Sequence, residues 1–314
     1  MSQLLSTQCK PFCGFSLANL STTLIATLLT LSLSVSTCLA RDNDYQRLSD
    51  IVYGPHSEER LDVYKPINAT NAPVIFMVHG GAWRIGDKAA RQVVNNKVKR
   101  WVKRGFIFIS INYPMLPETL PLDQARSVAK ALRVSQKQAI DWGGSPEHFI
   151  LMGHSAGAHL VSLISTQPAL TEAKLAGVKR DLKPSLSWLG TVSIDSAAYD
   201  VTQIMTKPNP PRFYKKAFGK QPNYWKQASP KHRMTTTIRP FFAICSLERK
   251  DGACDQAESF TNKAKSLGTT ASLLKVNLSH SETNANLGKQ NRYTESVEEF
   301  LKTLSPRIAT LLTQ

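Results

Sequence analysis

Residues 149–164 read FILMGHSAGAHLVSLI, and this segment is the most informative part of the sequence for predicting the fold. It begins with a short apolar run, Phe149–Met152, of the kind that forms a buried strand, and it ends with apolar residues at helical spacing. Between the two lies GHSAG, residues 153–157, which fits the pattern G-x-S-x-G. Glycine is needed on both sides of such a sharp turn, because a side chain there would collide with the neighbouring backbone. We therefore predict a strand, a tight turn that exposes the hydroxyl of Ser155, and a helix that begins at Ala156.

The rest of the chain repeats this alternation of apolar strands and amphipathic helices. Continuous apolar runs of strand length indicate a sheet that is covered on both faces and is mainly parallel. Further runs of this kind are 73–79, 106–113, 190–194, 240–245 and 271–278. Helical patterns lie between them at 89–104, 123–142, 256–267 and 292–304. The sequence predicts an α/β domain with a mainly parallel central sheet and helices on both faces.

Length and composition fit a globular chain. It has 314 residues, of which 42% are hydrophobic and 20% charged, and this balance excludes a disordered or fibrous protein. The formal net charge of +16 favours nonspecific contact with anionic surfaces. No zinc-finger spacing or RNA-binding aromatic signature accompanies the basic residues, so we expect no nucleic-acid partner. Nothing in the sequence indicates a specific protein partner.

The first forty residues differ from the rest of the chain. Lys10 is their only charged residue, residues 24–35 are mostly apolar, and small residues precede Arg41. This pattern is typical of a secretory signal peptide cleaved near Ala40. We therefore expect a signal peptide over residues 1–40 and a secreted or periplasmic domain over 41–314. The alternatives are a lipoprotein anchored through Cys38, whose preceding residues make a poor lipobox, and an uncleaved membrane anchor.

Export also bears on the cysteines. Beyond residue 40 the chain keeps Cys245 and Cys254, nine positions apart. In an oxidising compartment such a pair is expected to form a disulfide, and two unrelated thiols are the alternative.

Residues 197–237 interrupt the strand–helix rhythm. The segment is rich in proline, lysine and aromatic residues. We interpret it as a cap-like excursion over the sheet that shapes the mouth of a site. A plain connection with a few packed aromatic residues is the alternative.

A second motif, HGGAW at residues 79–83, follows another apolar strand. Acyl transfer develops negative charge on the carbonyl oxygen, and preorganised backbone N–H groups stabilise that charge. A glycine-rich turn presents N–H groups without side-chain cover. We predict an oxyanion hole formed by the N–H groups of Gly81, Ala82 and Ala156.

A base and an acid must act with Ser155, and in this strand–turn–helix context they follow it in the chain. The histidines beyond residue 159 are His232 and His280. His280 comes just after the strand at 271–278, on an expected loop, so we predict it to be the base and His232 to be structural or on the surface. Three carboxylates, Glu248, Asp251 and Asp255, follow the strand at 240–245. We prefer Asp251, because Asp255 has a simple alternative role as the N-cap of the helix predicted from Gln256.

Metal and nucleotide sites are not indicated. The sequence has no H-E-x-x-H motif, and His154 and His159 lack ligand spacing on one helix face. The GGSP turn at residues 143–146 lacks the lysine of a phosphate-binding loop. We expect no metal or cofactor.

These motifs resemble the carboxylesterase and arylformamidase branch of the α/β-hydrolases, near the hormone-sensitive-lipase-like enzymes. The resemblance runs from about Tyr64 to Leu304, with HGGAW, GHSAGAH and the order Ser155, Asp251, His280 as its main points. It implies cleavage of a small-molecule ester or amide through an acyl-enzyme. A departure is Ala82, where the hormone-sensitive-lipase type has glycine, and another is His154, where that type has an acid. The alternatives are an arylformamidase and a non-catalytic binding protein on the same fold.

Overall fold

The computed structural model describes residues 45–166 and 186–314. The segment expected to be a signal peptide, residues 1–40, lies outside these residues, and so does Cys38. Within the described part of the chain, eight strands form one sheet in the order β1-β2-β4-β3-β5-β6-β7-β8. The strands are β1 (Tyr45–Val52), β2 (Arg60–Pro66), β3 (Ala72–Val78), β4 (Ile107–Ile111), β5 (Gly144–His154), β6 (Gly190–Ile194), β7 (Phe241–Ser246) and β8 (Ala271–Val276).

The sheet is mainly parallel, as the apolar runs predict. Strands β3 to β8 run parallel to one another, while β2 is antiparallel to both of its neighbours, β1 and β4. The strands β1 and β2 were not predicted from the sequence. The reason is visible in β1, where every third side chain is half-buried and the others are exposed, so the strand contains no apolar run.

Helices cover both faces of the sheet, as predicted. In β3, Val74 and Phe76 pack towards one face, while Ile75 and Met77 pack towards the other. The helices are α1 (Arg91–Trp101), α2 (Pro121–Gln138), α3 (Ala156–Thr166), α4 (Val201–Met205), α5 (Arg212–Phe218), α6 (Pro222–Gln227), α7 (Pro230–Arg233), α8 (Ala253–Ser266), α9 (His280–Ala285), α10 (Arg292–Lys302) and α11 (Pro306–Thr313). Helices α2 and α3 supply buried residues to the first face, and α1, α10 and α11 supply them to the second.

The excursion over residues 197–237 contains the four short helices α4 to α7. Tyr214 and Phe218 of α5 are buried and pack with their rings 5.9 and 4.9 Å from that of Trp83. The segment thus lies directly over the HGGAW turn. Among residues 45–166 and 186–314, no helix combines the length and the apolar character needed to cross a bilayer.

Candidate active site

The turn between β5 and α3 carries Ser155 in a left-handed backbone conformation, with φ 55°. Strand β5 ends at His154 and α3 begins at Ala156, as the sequence predicts. A Cβ on Gly153 would lie 2.4 Å from the carbonyl oxygen of Gly157, and one on Gly157 would lie 2.2 Å from that of Val78. Both glycines are therefore required by close backbone contacts, and they leave the half-buried Ser155 free to face a cavity.

His280 faces Ser155. Its Nε2 lies 2.9 Å from Ser155 Oγ. The histidine is the first residue of α9 rather than part of a loop, because Ser279 and Glu282 form a capping box that starts the helix at that point. The structure thus brings together two of the residues predicted from the sequence.

The prediction of Asp251 as the acid that orients His280 is wrong. The carboxylate facing His280 is Asp195, whose Oδ2 lies 2.6 Å from His280 Nδ1. Asp251 is instead turned towards Arg249, whose Nε donates to Asp251 Oδ1 at 3.0 Å. The physical reason is that the guanidinium group of Arg249 lies beside His280 and holds Asp251 through two hydrogen bonds.

Asp195 follows β6 directly and is fully buried. Its Oδ1 accepts the N–H of Ser246 at 2.9 Å, and its own N–H donates to the carbonyl of Ile244. Burial on its own would raise the pKa of Asp195, but the hydrogen bond to His280 and the charge of Arg249 outweigh it and hold the pKa below its ordinary value. Asp195 is therefore a carboxylate at neutral pH, so His280 must donate from Nδ1 and can accept from Ser155 at Nε2.

Arg249 supports the arrangement of Asp195 and His280. Its Nη1 donates to the backbone carbonyl of Asp195 at 2.6 Å and lies 3.4 Å from the Asp195 carboxylate. The same atom lies 3.2 Å from His280 Nδ1. That contact is not a hydrogen bond, because Nδ1 already carries the proton that it donates to Asp195. Arg249 thus fixes the backbone and the charge of Asp195, a role that the sequence did not suggest.

The other two acidic candidates lie elsewhere. Asp255 is the third residue of α8, and the N-cap is Gly252, so the predicted capping role of Asp255 is wrong. The helix begins at Ala253, three residues earlier than predicted, and Gly252 before it takes a left-handed conformation, with φ 84°. Glu248 is exposed, and its N–H donates to the hydroxyl of Ser246.

The three predicted N–H donors, those of Gly81, Ala82 and Ala156, line the same cavity as Ser155. Within the described residues, none of these N–H groups has a hydrogen-bond acceptor. The HGGAW turn is tightly folded, with φ 122° at Gly81 and 51° at Ala82, and a Cβ on Gly81 would lie 1.8 Å from the carbonyl oxygen of Ile85. The left-handed conformation of Ala82 is one that glycine adopts more readily than alanine.

Buried histidines hold these turns in place. Trp83 Nε1 donates to His159 Nδ1 at 3.1 Å, and His159 Nε2 donates to the carbonyl of Ala228 at 2.8 Å, so the turn is tied to both α3 and the excursion. His154 Nε2 donates to the carbonyl of His280 at 2.9 Å. His154 therefore fixes the backbone of His280.

The cavity above Ser155 has a volume of about 620 Å³. Its wall includes Trp83 and Ile85 of the HGGAW region and Phe213 and Tyr214 of α5. A larger cleft, of about 800 Å³, is lined by Trp188, His232 and three threonines, Thr235–Thr237. Its histidine bonds to Asp200 at 3.0 Å rather than to a hydroxyl, which agrees with the structural role predicted for His232.

The sulfur atoms of Cys245 and Cys254 lie 2.02 Å apart, at the distance of a disulfide bond. The pair joins β7 to α8 across the loop that contains Arg249 and Asp251. Within the described residues, no group of three or more His, Cys, Asp or Glu side chains is arranged to hold a metal ion.

Comparison with known proteins finds a matching family and several related enzymes. A family model described as BD-FAE matches residues 61–263. Esterase LipQ of Mycobacterium tuberculosis (strain ATCC 25618 / H37Rv) is 28% identical over 270 residues, which are 81% of this chain and 61% of LipQ. Kynurenine formamidase of Danio rerio is 25% identical over 202 residues, which are 55% of this chain and 67% of that enzyme. This chain spans between 25% and 61% of the length of its plant and mycobacterial esterase relatives.

A solved structure described as a truncated form of carbohydrate esterase from gut microbiota superposes with a TM-score of 0.70. The match covers 87% of this chain and 99% of that one at 18% identity. At this identity the likeness bears on the fold alone, and it supports an α/β-hydrolase fold.

Proposed function

The chain belongs to the BD-FAE family of α/β-hydrolases, and we propose on that basis that it hydrolyses small carboxylic esters with Ser155 as the nucleophile. One observation carries the proposal. Ser155 Oγ lies 2.9 Å from His280 Nε2, and His280 Nδ1 lies 2.6 Å from Asp195 Oδ2. A hydroxyl, an imidazole and a buried carboxylate in this order are the parts that acyl transfer needs.

The proposed reaction has two steps. His280 takes the proton of Ser155 as Oγ attacks the carbonyl carbon, and it then gives that proton to the leaving alkoxide as the acyl-enzyme forms. Water attacks the acyl-enzyme in the second step, with His280 again taking and returning a proton, so that Ser155 is regenerated and the acid is released. Asp195 holds Nδ1 protonated and stabilises the imidazolium that forms in each step.

The developing oxyanion needs donors that are in place before the reaction. The N–H groups of Gly81, Ala82 and Ala156 have no acceptor among the described residues and lie in the wall of the cavity. Ala156 is also the first residue of α3, where the helix dipole favours negative charge. We assign these three groups to the oxyanion hole.

The cavity supports a small substrate with an apolar or aromatic part. Its volume of about 620 Å³ is in the range of sites for small organic molecules. The aromatic wall formed by Trp83, Phe213 and Tyr214 suits such a group.

An N-formyl aryl amide is the second candidate substrate, since kynurenine formamidase of Danio rerio is among the relatives. The test is to compare kcat/KM for p-nitrophenyl acetate and for N-formylkynurenine, with Ser155→Ala as the background control. We expect the ester to be cleaved with the higher kcat/KM. A much higher kcat/KM for N-formylkynurenine than for p-nitrophenyl acetate would replace ester hydrolysis with the second candidate.

We further propose that the protein is exported and that its mature form begins near Arg41. The support is the charge-poor, apolar leader with small residues before the first charges. N-terminal sequencing of the secreted or periplasmic form tests this. An intact Met1 in the cytoplasm would contradict it, and a lipid on Cys38 would favour the lipoprotein alternative.

A further inference from the structure

The segment over the cavity has an unusual charge. Between Val201 and Pro240 the chain carries nine Lys and Arg residues and no Asp or Glu. Six of these cations lie between residues 207 and 226, and all six are exposed: Lys207, Arg212, Lys215, Lys216, Lys220 and Lys226. None of the six forms an ion pair with any residue that the structure describes, so their charge is available to an external partner.

Helix α5 places part of this charge beside the cavity. Its residues Tyr214, Ala217 and Phe218 are buried, which orients the helix on the molecule. Arg212 and Lys216 are four positions apart and share the opposite, outward side of the helix. Helices α4, α5 and α6 contact one another, so the cations belong to one continuous layer.

Two large apolar side chains are exposed in the wall of the same cavity. Phe213 of α5 is 40% exposed, and Ile85, which follows the HGGAW turn, is 67% exposed. Arg84 beside Ile85 is also exposed. Exposed apolar side chains and positive charges therefore lie together on both sides of the cavity mouth.

We propose that this face docks onto an anionic lipid surface, with Phe213 and Ile85 inserted between the headgroups and the cations of residues 207–226 on the phosphates. Basic residues around exposed apolar side chains are the combination that binds membranes containing anionic lipids. A polyanionic polymer would use the cations but would leave the two apolar side chains in water. Docking in this orientation turns the mouth of the cavity towards the membrane.

Three carboxylates lie near this face: Asp87 and Asp251 in the wall of the cavity, and Asp123 near α6, where it pairs with Arg126. Asp251 is paired with Arg249. Asp87 accepts hydrogen bonds from the N–H of Ala89 and the side chain of Asn112. Two of the three are paired with arginines, and the six exposed cations outnumber all three, so the 207–226 segment keeps a net positive charge.

The test measures cosedimentation of the full protein with vesicles of phosphatidylcholine, alone or mixed equally with phosphatidylglycerol. We expect binding to the mixed vesicles only, and its loss at roughly 0.5 M salt, where charges are screened beyond a few ångströms. A variant with Arg212→Gln, Lys215→Gln and Lys216→Gln is expected to bind roughly 100-fold more weakly, at about fivefold per cation. Phe213→Ser is expected to weaken binding at low salt as well.

The matched control removes three exposed cations elsewhere, with Lys99→Gln, Lys137→Gln and Lys265→Gln. It changes the net charge equally and is expected to bind nearly as wild type. Residues 1–44 are common to all variants, so differences between variants report on the face itself. Turnover of soluble p-nitrophenyl acetate by both triple variants shows that they are folded, and binding by Ser155→Ala separates docking from the proposed chemistry.

Three results would overturn the proposal. One is equal binding to neutral and anionic vesicles, and another is an equal loss of binding in the two triple variants. The third is binding to dextran sulfate, with the same dependence on Arg212, Lys215 and Lys216, without binding to the mixed vesicles. That result would assign the face to a soluble polyanion.

Discussion

Among the single residues of the site, Asp195 is the most constrained. It is fully buried, its backbone has φ 55°, and its two carboxylate oxygens face the N–H of Ser246 and His280 Nδ1. A left-handed conformation at a residue other than glycine is costly and is found where the surrounding structure enforces it. The contacts of Asp195 are therefore specific, and its replacement gives a sharp test.

We predict that Asp195→Asn lowers kcat by about 10⁴-fold, because the neutral amide neither fixes the tautomer of His280 nor stabilises its charged form. Steady-state kinetics with p-nitrophenyl acetate measure the effect. Asp251→Asn is the matched control, since the same change is made in the same cavity wall on a carboxylate that bonds to Arg249. We expect this variant to lower kcat by less than about tenfold, since the side-chain oxygen of asparagine can still accept a hydrogen bond from Arg249. An inactive Asp251→Asn beside a near-normal Asp195→Asn would contradict the assignment.

Sequence reasoning reached Ser155 and His280 but missed Asp195, and the reason is physical. Ser155 has a strict local pattern, and His280 is one of only two histidines beyond residue 159. Asp195 had a usable signal, because it directly follows the predicted strand at 190–194. What could not be predicted is that Arg249 would turn inward and hold Asp251 away from His280, since this depends on the path of the loop between β7 and α8.

At the scale of elements, the position of the acid follows from the sheet. Strands β6 and β7 are parallel neighbours, with Ile194 opposite Ile244. Their carboxyl ends therefore lie side by side, and a carboxylate after either strand can reach a histidine that follows β8. The acid was therefore predicted at the correct edge of the sheet but after β7, whereas Asp195 follows the neighbouring strand β6.

The loop after β7 is closed by Cys245 and Cys254, and we predict that these residues form a disulfide in the exported protein. Closing so short a loop contributes about 2–3 kcal/mol at most to the free energy of unfolding. The double variant Cys245→Ala, Cys254→Ala is expected to lose about this amount in urea denaturation. Reductant should lower the stability of the wild type and leave that of the double variant unchanged. Free alkylation of both thiols in the native exported protein, without reductant, would refute the prediction.

At the scale of the whole molecule, the site lies along one edge of the sheet. His79 follows β3, Ser155 follows β5, Asp195 follows β6, Arg249 follows β7, and His280 follows β8. Ligands of parallel α/β sheets bind at this carboxyl edge, where residues distant in sequence meet. The strand pattern predicted this edge, whereas the antiparallel strands β1 and β2 lack the apolar runs that would have revealed them.

Stability of the whole fold is expected to fall in acid because of its buried histidines. Burial lowers the pKa of His159 to about 4, and burial together with the nearby His280 lowers that of His154 to about 3. In the unfolded chain an imidazole titrates near its ordinary pKa of about 6.5, so below that pH the unfolded state binds more protons. Their contribution to stability is complete above about pH 6.5 and is lost as the pH falls towards 4 and 3, at up to about 1.4 kcal/mol per pH unit for each histidine.

Urea denaturation between about pH 7 and pH 5 measures this slope. His159→Gln is expected to reduce the slope by up to about 1.4 kcal/mol per pH unit while lowering stability at neutral pH. Trp83→Phe is the control, since it removes the hydrogen bond to His159 and keeps the buried histidine. It should lower stability and retain the slope of the wild type. A slope in His159→Gln equal to that of the wild type would show that His159 does not titrate on unfolding.

Covalent labelling tests whether Ser155 is an activated nucleophile. The purified protein is treated with a fluorophosphonate probe, and the adduct is located by intact-mass measurement and peptide mapping. We predict one adduct per chain, on the peptide that contains Ser155, with labelling abolished in Ser155→Ala and strongly slowed in Asp195→Asn. A folded wild-type protein that takes no label, or a label that persists in Ser155→Ala, would show that Ser155 is not an activated nucleophile, and the first of these results would favour a binding protein on the same fold.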